Sequence, residues 1–231
     1  PTGSAYSRAE FEALGEVLRR HPDVLIASDD IYEHILWTEA PFCNIVMACP
    51  DLFDRTVVVN GVSKGYAMTG WRIGYTLAPE PIANAMYKVH QYIIGAMKKI
   101  QSQSTSNASS ISQAASVAAL DGDQSVIPPM IKAFRDRHDY VVGRLNAMKG
   151  VSCIHGDGTF YAYPNVAGAI DALEAVADDT ALAEYLIDEA NVALVPGTAF
   201  GLPGHVRISY ATSMDNLEKA MDRLEAVFGK A

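Results

Sequence analysis

Two short, unbroken apolar runs constrain this chain most: V-L-I-A-S from Val24 to Ser28, and R-T-V-V-V-N from Arg55 to Asn60. Neither alternates apolar with polar residues, and each is closed by a breaker, Asp29-Asp30 after the first and Gly61 after the second. A strand that is apolar on both faces belongs inside a sheet covered on both sides, the usual state of parallel strands in α/β proteins. A third run, R-I-G-Y-T-L-A from Arg72 to Ala78, ends at Pro79. A helix over 7–20 precedes the first strand, with Ser7 as N-cap and Glu10 three residues on, the pattern of a capping box. Helical periodicity returns over 80–99, 108–120 and 125–149, and the polar stretch Gln101 to Asn107 reads as a loop. Beyond Gly150 the pattern shortens to strands at 151–154, 159–163, 192–195 and 205–210, with helices at 179–190 and 214–228. The expectation is an α/β protein of two units, 1–125 and 126–231, with the long 125–149 helix as connector.

Composition narrows the function. Twenty-seven acidic against 18 basic residues leave a net charge of −9, so general attraction to nucleic acid or to an anionic membrane is not expected, and any bound anion needs a local site. No apolar stretch reaches the roughly 18 residues of a membrane span. Three cysteines with no C-x-x-C pair suggest neither a disulfide framework nor a metal site, and they read as small buried apolar groups. A cytoplasmic protein is expected. The chain opens on the turn-like Pro1-Thr2-Gly3 without an initiator methionine, which suggests a piece of something longer.

Three groups of residues carry possible chemistry. In N-G-V-S-K-G-Y-A-M-T-G-W-R-I-G, from Asn60 to Gly74, Lys64 follows a buried strand and Arg72 opens the next one. Ligands of open α/β sheets collect at the carboxyl ends of strands. If the strand opened by Arg72 runs back antiparallel, Arg72 shares that rim with Lys64. Gly61, Gly65 and Gly70 would let backbone approach a ligand, Ser63 offers a hydroxyl, and a lysine beside an arginine suits a phosphate and a carbonyl together. Asp29 and Tyr32, in S-D-D-I-Y-E-H, lie at the end of the first strand. Arg207, in H-V-R-I-S-Y, sits in an apolar strand and needs a partner, either a structural carboxylate or a substrate's. Taken singly, each has an ordinary reading: a solvated lysine, a strand-end carboxylate capping a helix, a core tyrosine, an arginine in an ion pair.

Together these segments resemble a known family. Asp-x-x-Tyr, then Ser-Lys with an arginine eight residues after the lysine, then R-I-S-Y, with V-P-G-T-A-F-G between, is similar to the fold type I pyridoxal-phosphate enzymes. The group most resembled is the class I/II aminotransferases of the bacterial aspartate aminotransferase kind. The resemblance covers essentially the whole chain in order. It implies a partial three-layer cofactor-binding domain plus a smaller C-terminal α/β domain. It also implies pyridoxal 5'-phosphate bound through a Schiff base to Lys64, which would then shuttle the substrate proton. Asp29 would hold the pyridine nitrogen, Tyr32 the phenolic oxygen, and Arg72 and Ser63 the phosphate. Arg207 would hold the substrate α-carboxylate, Phe160 and Tyr161 in G-D-G-T-F-Y would border the substrate pocket, and no metal is implied. The substrates implied are an L-amino acid, aspartate favoured, and a 2-oxo acid such as 2-oxoglutarate. A homodimer is implied, with the 101–107 loop reaching the neighbouring subunit.

The chain departs from that family in two ways. The family carries a long segment before Pro1, which supplies an asparagine, a ring-stacking aromatic and specificity residues, so the 231 residues alone are expected not to be a competent enzyme. Three residues before the lysine, where the family often has serine, stands Gly61. Other aminotransferases or lyases on the same scaffold, and aminotransferase-like sensor domains of bacterial regulators, would share these motifs; the intact Arg207 favours catalysis.

Overall fold

The computed structural model describes residues 1–89 and 107–229, which fall into two compact units. One comprises Tyr6–His34 and Glu39–Ile127. The other comprises Pro128–Ala231 with two short excursions, Pro1–Ala5 and Ile35–Thr38. A single division at 125/126 leaves those excursions out, because backbone hydrogen bonds rather than any apolar periodicity tie them to the later residues. The carbonyl of Gly3 accepts from the N–H groups of Asp157 and Gly158 at 2.8 and 3.0 Å, and Thr159 N–H donates to the carbonyl of Ile35 at 2.8 Å.

In the first unit, helix α1 (Arg8–Arg19) begins as its sequence requires: the Ser7 hydroxyl accepts from Glu10 N–H, and the Glu10 carboxylate accepts from Ser7 N–H. Its far end is held by Arg55, whose guanidinium donates to the carbonyls of Leu18, His21 and Val24 at 2.6, 2.7 and 2.8 Å. Strand β1 (Ile26–Asp29), helix α2 (Ile45–Ala48), strand β2 (Thr56–Gly61), the single turn α3 (Val62–Gly65) and strand β3 (Gly74–Leu77) follow. Residues 80–89 are helical (α4), and α5 spans Ser110–Asp121. The 101–107 loop, save Asn107, and the end of the helix expected over 80–99 lie outside the described residues.

The sheet order is β1-β2-β3, with β1 parallel and β3 antiparallel to β2. Its core is Ile45, Cys49 and Leu52, packed by Phe11, Leu18 and Ile26. Strand β2 is largely buried, as its apolar run requires, whereas β1 and β3 expose apolar surface. Leu25, entering β1, is 69% exposed and Leu77 in β3 is 59% exposed, and β1 alternates half-buried with exposed residues. An apolar run reports what a strand could bury, not what lies against it.

The second unit opens on α6 (Ile127–Asn146), whose Pro128 and Pro129 lie in the first turn, where no intrahelical N–H bond is lost. Gly150 follows with φ +73°, and a Cβ there would stand 2.5 Å from Ala169 N. Strand β4 (Tyr161–Ala162), helices α7 (Ala167–Asp171) and α8 (Asp179–Ala190), strands β5 (Val195–Pro196) and β6 (Val206–Ser209) and helix α9 (Met214–Phe228) complete it. The order is β4-β6-β5, antiparallel throughout. Helices α8 and α9 occupy the expected ranges, capped by Asp178 and Ser213. The strand expected at 151–154 is only a bridge between Ser152 and Asn165. Leu182, Leu186, Met221 and Leu224 are fully buried. Among the described residues no helix is long and apolar enough to cross a membrane.

Candidate active site

Because β1 and β2 are parallel, their carboxyl ends share one rim of the first unit's sheet. The antiparallel β3 begins at that rim, with Gly61 paired to Gly74. A cleft of about 330 Å³ opens there, lined among others by Asp29, Ser63 and Arg72. Asp29 ends β1 exposed to solvent, its carboxylate accepting from the N–H of Ile31 at 3.3 Å. Its neighbour Asp30 is instead buried, taking the Ser28 hydroxyl and the Asn44 amide. Of the two adjacent carboxylates, one is structural and the other faces the cleft.

Lys64 lies in α3, half-buried, in the residue after Ser63. Tyr32 is half-buried three residues past Asp29. Neither lines the cleft, and each is engaged with a neighbour. Arg72 is not in a strand, as the sequence suggested, but two residues before β3 in the left-handed region at φ 54°. That turn leaves its side chain exposed, with one guanidinium N–H donating to the carbonyl of Thr69 at 3.2 Å.

The glycines act differently from their sequence reading. A Cβ at Gly61 would stand 2.8 Å from the carbonyl oxygen of Ile73, and one at Gly65 would stand 2.6 Å from His34 Cδ2. Both admit protein, not ligand; Gly70 has open space. Glu33 accepts from Asn60 Nδ2 at 2.8 Å while Asn60 Oδ1 accepts from Gly61 N–H, so the entrance to the lysine turn is pinned from behind. Burial first, and then the Glu33 charge, push the phenols of Tyr66 and Tyr75 up.

In the second unit, Arg207 lies in β6 with its guanidinium over two rings, 4.5 Å from the Tyr161 centroid and 4.8 Å from that of Phe200. Among the described residues no carboxylate lies within ion-pairing distance of it, so the structural ion pair that could have explained it is not there. Phe160 is buried against Phe134 and Tyr161, at 5.6 and 4.7 Å between ring centroids. The role of Phe200 was not legible from V-P-G-T-A-F-G, although the pairing of an aromatic with a strand arginine is a signal to seek.

Elsewhere in that unit, His138, Asp139 and His155 bring ligand-type atoms within 4.8 Å of one another. His138 Nε2 accepts from Gly156 N–H at 2.9 Å. A neutral ring so engaged carries its proton on Nδ1, facing Asp139 at 2.9 Å, and offers no lone pair to an ion there. Burial pushes the Cys153 thiol up, in keeping with an inert core cysteine.

A parallel pair with a returning strand and a cleft at the strand ends is an α/β arrangement, and the chain belongs to the class I and II aminotransferase family, whose model matches residues 1–224. It is 51% identical to an aspartate/prephenate aminotransferase from Nitrosomonas europaea, over 98% of this chain and 56% of that protein. It is 45% identical to an aspartate aminotransferase from Rhizobium meliloti, over 98% of this chain and 53% of that one. Among solved structures, the aspartate aminotransferase of Rhizobium meliloti superposes with a TM-score of 0.84 at 44% identity, over all of this chain and 56% of that one. The aromatic aminotransferase of Pyrococcus horikoshii superposes at 0.85 and 33% identity, over all of this chain and 57% of that one. The chain thus spans about half the length of these relatives.

Proposed function

We propose that this chain is the lysine-bearing part of a pyridoxal-5'-phosphate-dependent aminotransferase that moves an amino group between an L-amino acid, with aspartate favoured, and a 2-oxo acid such as 2-oxoglutarate. The observation that carries the reading is the cleft at the strand ends, lined by the Asp29 carboxylate, the Arg72 guanidinium and the hydroxyl of Ser63, the residue before Lys64. These groups fit the cofactor, Ser63 and Arg72 for its phosphate and Asp29 for its basic ring nitrogen; Lys64 and Tyr32, which do not line the cleft, would supply the amine for its aldehyde and a donor for its phenolic oxygen. When bound, the cofactor supplies an aldehyde that takes up amino groups and a ring that withdraws electrons from the carbon losing its proton.

Each residue's part follows from its chemistry. Asp29 would present its carboxylate to the ring nitrogen. Arg72 and Ser63 would hold phosphate oxygens, the guanidinium through parallel N–H donors. Lys64 would hold the cofactor's aldehyde through its ε-amine and would be the group that takes and returns the substrate's α-proton. Arg207 would hold the substrate α-carboxylate, which would fix the bond to be broken, and Phe160 and Tyr161 would border that subsite. The reading carries with it a large domain of three layers with a smaller C-terminal domain, a homodimer and a cytoplasmic setting.

The test is covalent. Protein incubated with pyridoxal phosphate and reduced with borohydride should carry the label on the peptide containing Lys64, and Lys64→Ala should lose both label and the visible absorbance. A label retained at full stoichiometry in Lys64→Ala would refute the assignment.

A further inference from the structure

The Arg207 guanidinium carbon lies 4.5 Å from the Tyr161 ring centroid and 4.8 Å from that of Phe200, two cation–π contacts that orient the cation. Tyr161 belongs to β4, which is paired directly to β6, Tyr161 opposite Ser209. Phe200 has no such anchor. It ends a 3-10 turn, Gly197–Phe200, and is itself 38% exposed, so whatever fixes the turn fixes one wall of the clamp.

Asp179 fixes it. This carboxylate, at the start of α8, is 1% exposed. It accepts from Thr198 N–H at 2.7 Å, from the Thr198 hydroxyl at 2.9 Å and from Gly204 N–H at 3.4 Å. Burial pushes its pKa up, but those donors outweigh burial and hold it below the ordinary carboxylate range. The turn's other end is held by the Tyr163 hydroxyl, which donates to the carbonyl of Gly197 at 3.3 Å. Helix N-capping does not account for Asp179, because Asp178 already caps α8 by accepting from Ala181 N–H.

We propose that Asp179 is a positioning residue for carboxylate binding: through Thr198 and Gly204 it sets the 197–204 turn, which sets Phe200, which sets the plane of Arg207. The inference rests on the reading of Arg207 as the carboxylate-binding group. The chain of contact is short, and each link is a named hydrogen bond or ring stack. A second helix-start carboxylate with no capping duty is thereby connected to substrate affinity.

The experiment measures the dissociation constant of succinate, a non-reacting dicarboxylate, for the cofactor-loaded full-length protein that contains this chain and for its Asp179→Asn, Phe200→Leu and Arg207→Lys variants. Cofactor content and absorbance are recorded alongside, well below the melting temperature. Asp179→Asn keeps the shape but removes the charge, and Phe200→Leu breaks the last link without touching Asp179. Both should weaken succinate by about tenfold, the scale of one charged hydrogen bond, with cofactor content and absorbance unchanged. Arg207→Lys should weaken it further. If Arg207→Lys matters while Asp179→Asn and Phe200→Leu stay within twofold of the wild type, the positioning role is overturned and the Arg207 reading survives. If Asp179→Asn does not fold, the Phe200→Leu result decides. Unchanged affinity in Arg207→Lys, or no succinate binding by the wild type, overturns the reading and the inference together.

Discussion

The two units are held together by different means. Of the twelve largest fully buried side chains among the described residues, only Val62 belongs to the sheet unit that carries Lys64. The C-terminal unit owns the rest, in α6, α8 and α9, at Tyr210 just past β6 and at Ile35 in the 35–38 excursion. The sheet unit relies on polar side chains bonded to backbone. Arg55 binds three carbonyls, Asn44 caps α2, Thr56 bonds the Leu52 carbonyl, and Glu33 with Asn60 pins the lysine turn. Hydrogen bonds fix geometry residue by residue, whereas burial is non-directional. Among the described residues, the unit with the thinner core therefore defines the strand-end rim point by point, with Leu25 and Leu77 exposed.

The comparison can be broken first at its strongest point. Leu186→Ala empties a fully buried position in α8 and should cost about 2–5 kcal/mol, read as a fall in urea midpoint of the C-terminal unit. A loss below about 1 kcal/mol would mean that burial is not what holds that unit. In the sheet unit the corresponding blow is Arg55→Met. It keeps the aliphatic stem but orphans three carbonyls, and should cost about 1.5–3 kcal/mol, with the hydrogen-exchange protection of α1 and β1 lost first.

The C-terminal unit has side-chain ties to backbone as well, at Asn146, His138, Tyr163 and Asp179, and the signature of Asp179 is acid sensitivity. Its folded pKa is depressed, so its contribution is fully present above the unfolded carboxyl value of about 4 and is lost as pH falls through the folded pKa. Melts of wild type and Asp179→Asn between pH 7 and pH 3 should therefore converge as pH falls. Titration leaves the oxygens in place to accept, so the effect is smaller than deleting Arg55. Parallel curves at constant separation would show that charge is not what the turn requires. Smaller again is Ser7→Ala, which removes the capping box of α1 for about 1 kcal/mol, visible in the same exchange experiment as fraying at the N-terminus of α1 alone.

The same division explains what the sequence made legible. Helices α8 and α9 and the cap at Ser7 follow from periodicity and local hydrogen bonding, which are sequence-near. Parallel β1 and β2 follow from apolar runs and breakers, whereas the antiparallel return to β3 entered only as the condition under which Arg72 shares the rim with Lys64. Among the candidate residues, Asp29, Ser63 and Arg72 meet in one cleft, as strand-end logic demands. What stayed hidden is long-range. The excursions at 1–5 and 35–38 are placed by backbone bonds to residues more than a hundred positions away. Asp29 and Asp30 are told apart by burial and by the Ser28 hydroxyl and Asn44 amide, both of which reach Asp30. Gly65 reads as a ligand approach until His34 is found against it. Phe200 and Asp179 matter only once Arg207 is found against Phe200 and Asp179 against the turn that carries it.

The smallest effect tests the open face itself. Leu25 enters β1 with 69% of its surface exposed, beside an apolar cleft of about 600 Å³ lined with it by Pro81, Ile82, Ala85, Met86 and Val89. If that face is open in the protein, Leu25→Ser removes little burial, and the free energy of unfolding should change by no more than about 0.5 kcal/mol. A polar residue there should also reduce self-association, since contiguous exposed apolar surface promotes it. A cost well above that bound, about 1.5 kcal/mol or more, is the size expected for exposing a buried leucine. It would mean that something covers the face in solution, and that the sheet unit's thin core describes this set of residues rather than the assembled protein. Measured beside Leu186→Ala in one urea series, the pair separates burial that exists within the chain from burial that has to be supplied to it.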